Sequence, residues 1–243
     1  MKRLFFCAFL VFFQLDSAWS AELVAPNHAK QIENYVTSWV GNTYGGLNPQ
    51  TGKGQWVQQD IAAMCVTPDG TVYTNVPWEE AGGNCSMYKD GEMLGRAGHT
   101  HGWGPEGGKA VAVNDKYVFI GLAYENEGGN LVDPDTWPPK GKRWFGISRR
   151  LRSDFTQGAP FEHGKGGKGD TLPKCFLVVN EVPEPPKGPV EFTQNISDLA
   201  AISGLWATNE RLYVSNPYQN RIEIYDTETM KKISEWDLNR MGF

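Results

Sequence analysis

Short runs in which apolar and polar residues alternate, separated by Asp, Asn and Gly, make up most of this chain, and their two-residue period predicts β-strands. Three stretches share one plan: Ala63 to Tyr73, Val111 to Phe119 and Leu205 to Tyr213. Each is an apolar strand, a turn rich in Asp, Asn or Gly, and a second strand ending in an aliphatic-aromatic pair. Taking the aromatic as a marker, Tyr73 and Phe119 lie 46 residues apart and Phe119 and Tyr213 lie 94 apart, close to two steps of 47. Asn84 to Leu94 reads as a strand, an Asp90-Gly91 hairpin turn and a strand, because such a turn needs residues that tolerate positive φ. Its counterpart is Arg221 to Asp226 followed by Lys231 to Trp236. The first and last units therefore predict four short antiparallel strands each.

The middle unit is stretched. A Gly/Pro/Asp-rich run from Glu125 to Lys142 separates its second strand from Arg143 to Ile147, and a Gly/Lys tract (Gly164 to Gly169) precedes Cys175 to Val179. It reads as one unit with two long loops in preference to two units, because no strand pair falls one period after Phe119. Pro183 to Pro189 must be a surface loop, since Pro cannot donate to a sheet. Tyr35 to Val40 reads as an isolated strand. A four-stranded repeat of this length matches a β-propeller blade. The expectation is an all-β propeller of about three blades at 56–98, 108–182 and 200–238, behind an N-terminal extension at 21–55.

The 243 residues carry 23 Lys+Arg against 28 Asp+Glu, and this mild acidity lacks the basic footprint of a nucleic-acid binder. Lys2 and Arg3, the apolar Leu4 to Leu15 and the sequence Ala18-Trp19-Ser20 form a signal-peptide pattern with cleavage after Ser20. That apolar run is shorter than the roughly 20 residues of a spanning helix. An exported, periplasmic or extracellular product with no membrane span is expected. Removing Cys7 with the leader leaves Cys65, Cys85 and Cys175. Either Cys65 and Cys85 bridge neighbouring strands, or all three are small buried side chains. Their spacing matches no zinc pattern.

Leu212-Tyr213-Val214-Ser215-Asn216 followed by Arg221 to Thr229 resembles the bacterial YVTN and NHL families of propeller repeat, and Thr67 to Tyr73 is similar to the NHL-type inner hairpin. The resemblance spans Gln59 to Leu238 and implies a fold, not a reaction. Propellers close with four to eight blades. Three would leave exposed edges and an unfilled channel, so the chain reads as the N-terminal part of a longer propeller, whose last blade Tyr35 to Val40 could close.

In a four-stranded meander the links after strands two and four share one end. That end collects Trp78, Glu79, Glu80, His99, His101, Trp103, Glu125, Glu127 and Trp137. His99 and His101, two apart, point the same way in extended chain and could share a metal with Glu79 or Glu80. The acidic loop containing Glu125 and Glu127 offers oxygen ligands to a divalent cation such as Ca²⁺ without the spacing of an EF-hand. The indoles of Trp78, Trp103 and Trp137 could cover a sugar face, or else wedge between blades. Asn75 and Asn216 recur after strands and read as Asx-type turns. Gly102 to Gly107 matches a dinucleotide fingerprint literally, but it contains Pro105 and leads into a strand. These features favour a binding or scaffold module for a carbohydrate or a protein over an enzyme. The alternatives are a hydrolase similar to the gluconolactonase group, with one divalent cation, or an inactive truncated propeller.

Overall fold

A computed structural model of the chain describes residues 36–37, 56–57, 61–77, 85–90, 92–97, 105–106, 108–125, 135, 137–166, 173–183 and 199–240. Two short strands, β1 (Val36–Thr37) and β2 (Trp56–Val57), pair in parallel. The strand expected to stand alone near residue 36 thus has a partner 20 residues on (56 − 36).

Three antiparallel sheets follow. The first, sheet I, runs in order β3 (Ala63–Val66), β4 (Val72–Asn75), β5 (Cys85–Lys89) and β6 (Glu92–Ala97). Sheet II contains β7 (Pro105–Glu106), β8 (Val111–Val113), β9 (Tyr117–Glu125), β10 (Lys142–Leu151) and β11 (Phe176–Pro183), with β7 and β8 both pairing β9. Sheet III runs β12 (Gly204–Ala207), β13 (Arg211–Asn216), β14 (Arg221–Asp226) and β15 (Lys232–Asp237). The stretched middle unit is a single sheet. Its strands β9 and β10 are 9 and 10 residues long, longer than their short apolar cores suggest. Both faces are covered, so Ile120, Leu122, Ala123 and Tyr124 are all buried and the strand loses its alternation.

The first strands of the sheets, β3, β8 and β12, lie side by side, and successive sheets stack face to face. This is a propeller-like arrangement, and the described residues close no ring. Two cores fill the seams. Between sheets I and II, Tyr73 and Cys85 meet Val111, Val118, Ile120 and Phe155, with the Tyr73 and Phe155 rings 5.7 Å apart edge to face. Between sheets II and III, Ala112, Phe119, Ile147 and Leu177 meet Leu212, Val214 and Tyr225.

Local turn chemistry explains the hairpins. Gly70 takes φ +81° and Asp90 takes φ +50°, as the tight links β3–β4 and β5–β6 require. The Thr67 hydroxyl, with the backbone N–H and hydroxyl of Thr71, donates to Asp69 and holds its carboxyl well below the usual carboxylate range. Gly146 is required for a different reason. A Cβ there would overlap the carbonyl of Leu177 across the β10–β11 bulge.

Cys65, Cys85 and Cys175 are free thiols. Of the two alternatives, the bridge between the first two fails on topology: β4 lies between β3 and β5, and two strand spacings of about 4.8 Å exceed the reach of a disulfide. Burial pushes the Cys85 thiol up to about 12 and the Cys175 thiol up to about 11, so both serve as small core side chains.

Candidate functional site

Strand register defines the two ends of the sheets. At one end, Asn75 lies opposite Cys85 and Cys85 opposite Ala97. In sheet II Arg143 lies opposite both Glu125 and Val182, and in sheet III Arg221 lies opposite Asn216 and Asp237. Buried asparagines align these ends across the seams. Asn75 donates to the carbonyls of Ala110 (2.9 Å) and Gly121 (2.8 Å) and accepts from the Gly108 N–H (3.2 Å). Asn180 and Asn216 exchange reciprocal side-chain hydrogen bonds of 3.0 and 3.1 Å, and Asn180 also donates to the Ala200 carbonyl.

These contacts correct the reading of Asn75 as a turn residue and of the two as equivalent, while Asn216 does cap the turn Pro217–Gln219 that follows it. Ala63 pairs with Asn75 as Gly204 pairs with Ser215, so Asn216 stands one place further along. That one-residue offset sends the two side chains to opposite faces. Asn75 reaches forward to sheet II, whereas Asn216 reaches back to it and also accepts from the Gln219 N–H (3.3 Å).

The opposite end is held by charge. Arg149, buried, donates to the carbonyls of Ala159, Pro160, Thr227 and Glu228 and lies over the Tyr117 and Phe161 rings at 4.5 and 5.1 Å. Glu228 accepts from Lys116 and from the Tyr117 hydroxyl (2.7 Å), and those donors hold its carboxyl below the usual range. Arg152 lies 3.4 Å from Asp69 and 3.7 Å from Asp115.

Most of the residues that the sequence suggested for a site, Trp78, Glu79, Glu80, His99, His101, Trp103 and Glu127, lie outside the described residues. Glu125 ends β9 at the asparagine-bound end. Trp137 is fully buried, its ring edge-on to Tyr124 at 5.3 Å, so it fills the core and presents no face to a sugar. Asp135, from the acidic loop, is exposed and lies 3.6 Å from Lys165. Among the described residues no group of three His, Cys, Asp or Glu side chains is placed to share a metal ion. Nor is any described helix long and apolar enough to cross a membrane.

One concave feature sits at the asparagine-bound end of sheet III. Glu235, Trp236, Asp237 and Arg240 line an open depression of about 470 Å³. Glu235 accepts from Arg221 (2.6 Å) and Lys232 (2.8 Å), and these donors keep its carboxyl ionised. Trp236 is half exposed, with the Tyr213 ring 6.0 Å away. An indole beside two carboxylates and a guanidinium can stack on an apolar ring face and hydrogen-bond its polar rim. Trp236 reads in the sequence only as the end of the last strand. The alternation Ser234, Trp236 places the indole on one face of the strand, but whether that face is open depends on the sheet stacking. Comparison with models of known families and with curated proteins finds no match to this chain.

Proposed function

We propose that this protein is an exported binding or scaffold module, similar in plan to NHL/YVTN propellers, that takes a carbohydrate or protein ligand at the asparagine-bound end of its sheets. The observation that carries the reading is the depression around Trp236, which lies at the same end of the sheets as the last residues of β4, β6 and β9. The sequence after those strands holds Trp78, Glu79, Glu80, His99, His101, Trp103 and Glu127, and a divalent cation such as Ca²⁺ belongs to the proposal only through them. The paired side-chain chemistry, indole with fixed carboxylates and an arginine, suits polyhydroxylated rings better than flat apolar ligands.

The test is a glycan array with the purified chain, comparing it with Trp236→Ala and with the double change Trp78→Ala, Trp103→Ala. Signal on a defined glycan set should fall in both variants. Equal signal from all three proteins would remove this end of the molecule as the binding surface.

A further inference from the structure

We propose that two copies of this chain assemble front to back, the front of sheet III in each copy packing on the back of sheet I in the other, to make a closed six-sheet ring. The proposal goes beyond the binding function and does not depend on it.

The three sheets are equivalent in plan. The first hairpins of the three sheets have the same register. The pairs Cys65 with Tyr73, Ala112 with Phe119 and Trp206 with Tyr213 occupy one face, called the front. The pairs Val66 with Val72, Val113 with Val118 and Ala207 with Leu212 occupy the other, the back. Inside the chain a front meets a back twice. The front of sheet I buries Tyr73 against the back of sheet II, and the front of sheet II buries Ala112 and Phe119 against the back of sheet III. Among the described residues two faces remain without such a partner. On the front of sheet III, Trp206 is 62% exposed and lies beside Tyr213, ring centroids 5.1 Å apart, on strands β12 and β13, while Trp236 stands on the outer strand β15 beside the depression. On the back of sheet I, Met64 is 63% exposed and Val66 59% exposed.

Large apolar side chains aligned on a sheet face mark an interface. What covers such a front, in both seams seen here, is the back of a sheet built on the same plan. A second copy carries that back, and its own open front meets the first copy's sheet I in return. A two-fold axis therefore makes both seams at once and leaves neither face over. Twice three sheets is six, inside the range of four to eight at which such rings close. By the equivalence Trp206 comes opposite Val66, as Cys65 comes beside Val113.

Sedimentation velocity on the full chain tests this, with Trp206→Arg, Val66→Asp and an equal mixture of the two. Both positions are exposed, so each variant should keep the parent's far-ultraviolet circular dichroism. The parent should sediment at twice the protomer mass and each variant alone at the protomer mass. Their mixture should return to the dimer, because one seam is then unaltered and the other sets Arg against Asp. A monomeric parent would overturn the proposal, in which case other parts of a longer polypeptide cover these faces. So would a dimer indifferent to both substitutions, or a parent whose mass climbs past the dimer with concentration, as an unclosed filament does.

Discussion

Phe119 and Tyr213 hold the same place in two sheets built on the same plan, yet Phe119 is fully buried and Tyr213 only partly so. Their strands, turns and cross-strand partners correspond, and what differs is whether a further sheet stands in front. Both seams inside the chain carry a neutral asparagine tie at the loop end, Asn75 in one and Asn180 with Asn216 in the other, and ionised groups at the hairpin end, Arg152 with Asp69 in one and Arg149 with Glu228 in the other, but the weight of these ties differs. Sheet I is tied to sheet II at the loop end by one neutral side chain, Asn75, which satisfies two carbonyls and an N–H. Sheet II is tied to sheet III at the hairpin end by ionised groups, Arg149 on four carbonyls and Glu228 between Lys116 and Tyr117. The energetic weight of a position in a stacked-sheet protein thus follows from its neighbour sheet, and equivalent residues need not matter equally.

The sharpest way to break that comparison is to truncate the equivalent aromatics. Phe119→Ala should lower stability by about 3–5 kcal/mol, the range for emptying a buried aromatic site. Tyr213→Ala should cost the monomer about 1 kcal/mol or less, as partly exposed positions do. Urea unfolding of the two variants measures both, and similar losses at a protein concentration where the chain sediments as a monomer would show that the front of sheet III is covered within the chain.

A smaller effect separates the neutral tie from its counterpart. Asn75→Ala removes the side-chain partner of the buried Gly121 carbonyl and of the Gly108 N–H, and one of two donors to the Ala110 carbonyl, and should cost about 2 kcal/mol. The side chain of Ser215, its register equivalent, shares an exposed hydrogen bond with the Ser203 hydroxyl, so Ser215→Ala should shift the midpoint little. If Asn75→Ala is as mild as Ser215→Ala, water replaces the asparagine and the seam rests on its apolar core alone.

The smallest effect concerns Glu228. Because its carboxyl is depressed when folded, its contribution is present above the ordinary glutamate pKa and is lost as pH falls through the lower folded value. Glu228→Gln should cost under about 1 kcal/mol near neutrality, since the ion pair is exposed. Thermal melts from neutral pH to about pH 3 should show the gap between the parent and Glu228→Gln closing. A gap independent of pH would mean that its hydrogen bond from Tyr117, not its charge, holds the seam.

Much of the architecture was legible in the order of residues because strand and turn chemistry are local. The three hairpins, the Asp69-Gly70 turn and the positive φ at Asp90 follow from a period of two broken by residues that tolerate those angles. The length of β9 and β10 was not legible: once both faces of a strand are covered the period vanishes, and Arg149 and Arg150 in a buried strand look like a strand end. Asn75 and Asn216 looked alike because each follows a strand, and only register shows that they face opposite ways. Trp137 looked like a loop aromatic because its flanks are Asp and Pro, but it is packed beside Tyr124. Trp236 drew no notice because nothing in its neighbours along the chain tells an open face from a covered one.

The chain's own residues therefore determine the all-β class, the repeating four-stranded unit and its turns, since backbone preference and side-chain alternation act over a few residues. Tertiary structure alone decides which of the repeated faces are buried, which polar groups bridge the seams and where the depression opens. Those depend on contacts such as Asn114 with Thr208, whose partners lie 94 residues apart and are brought together by the stacking of whole sheets.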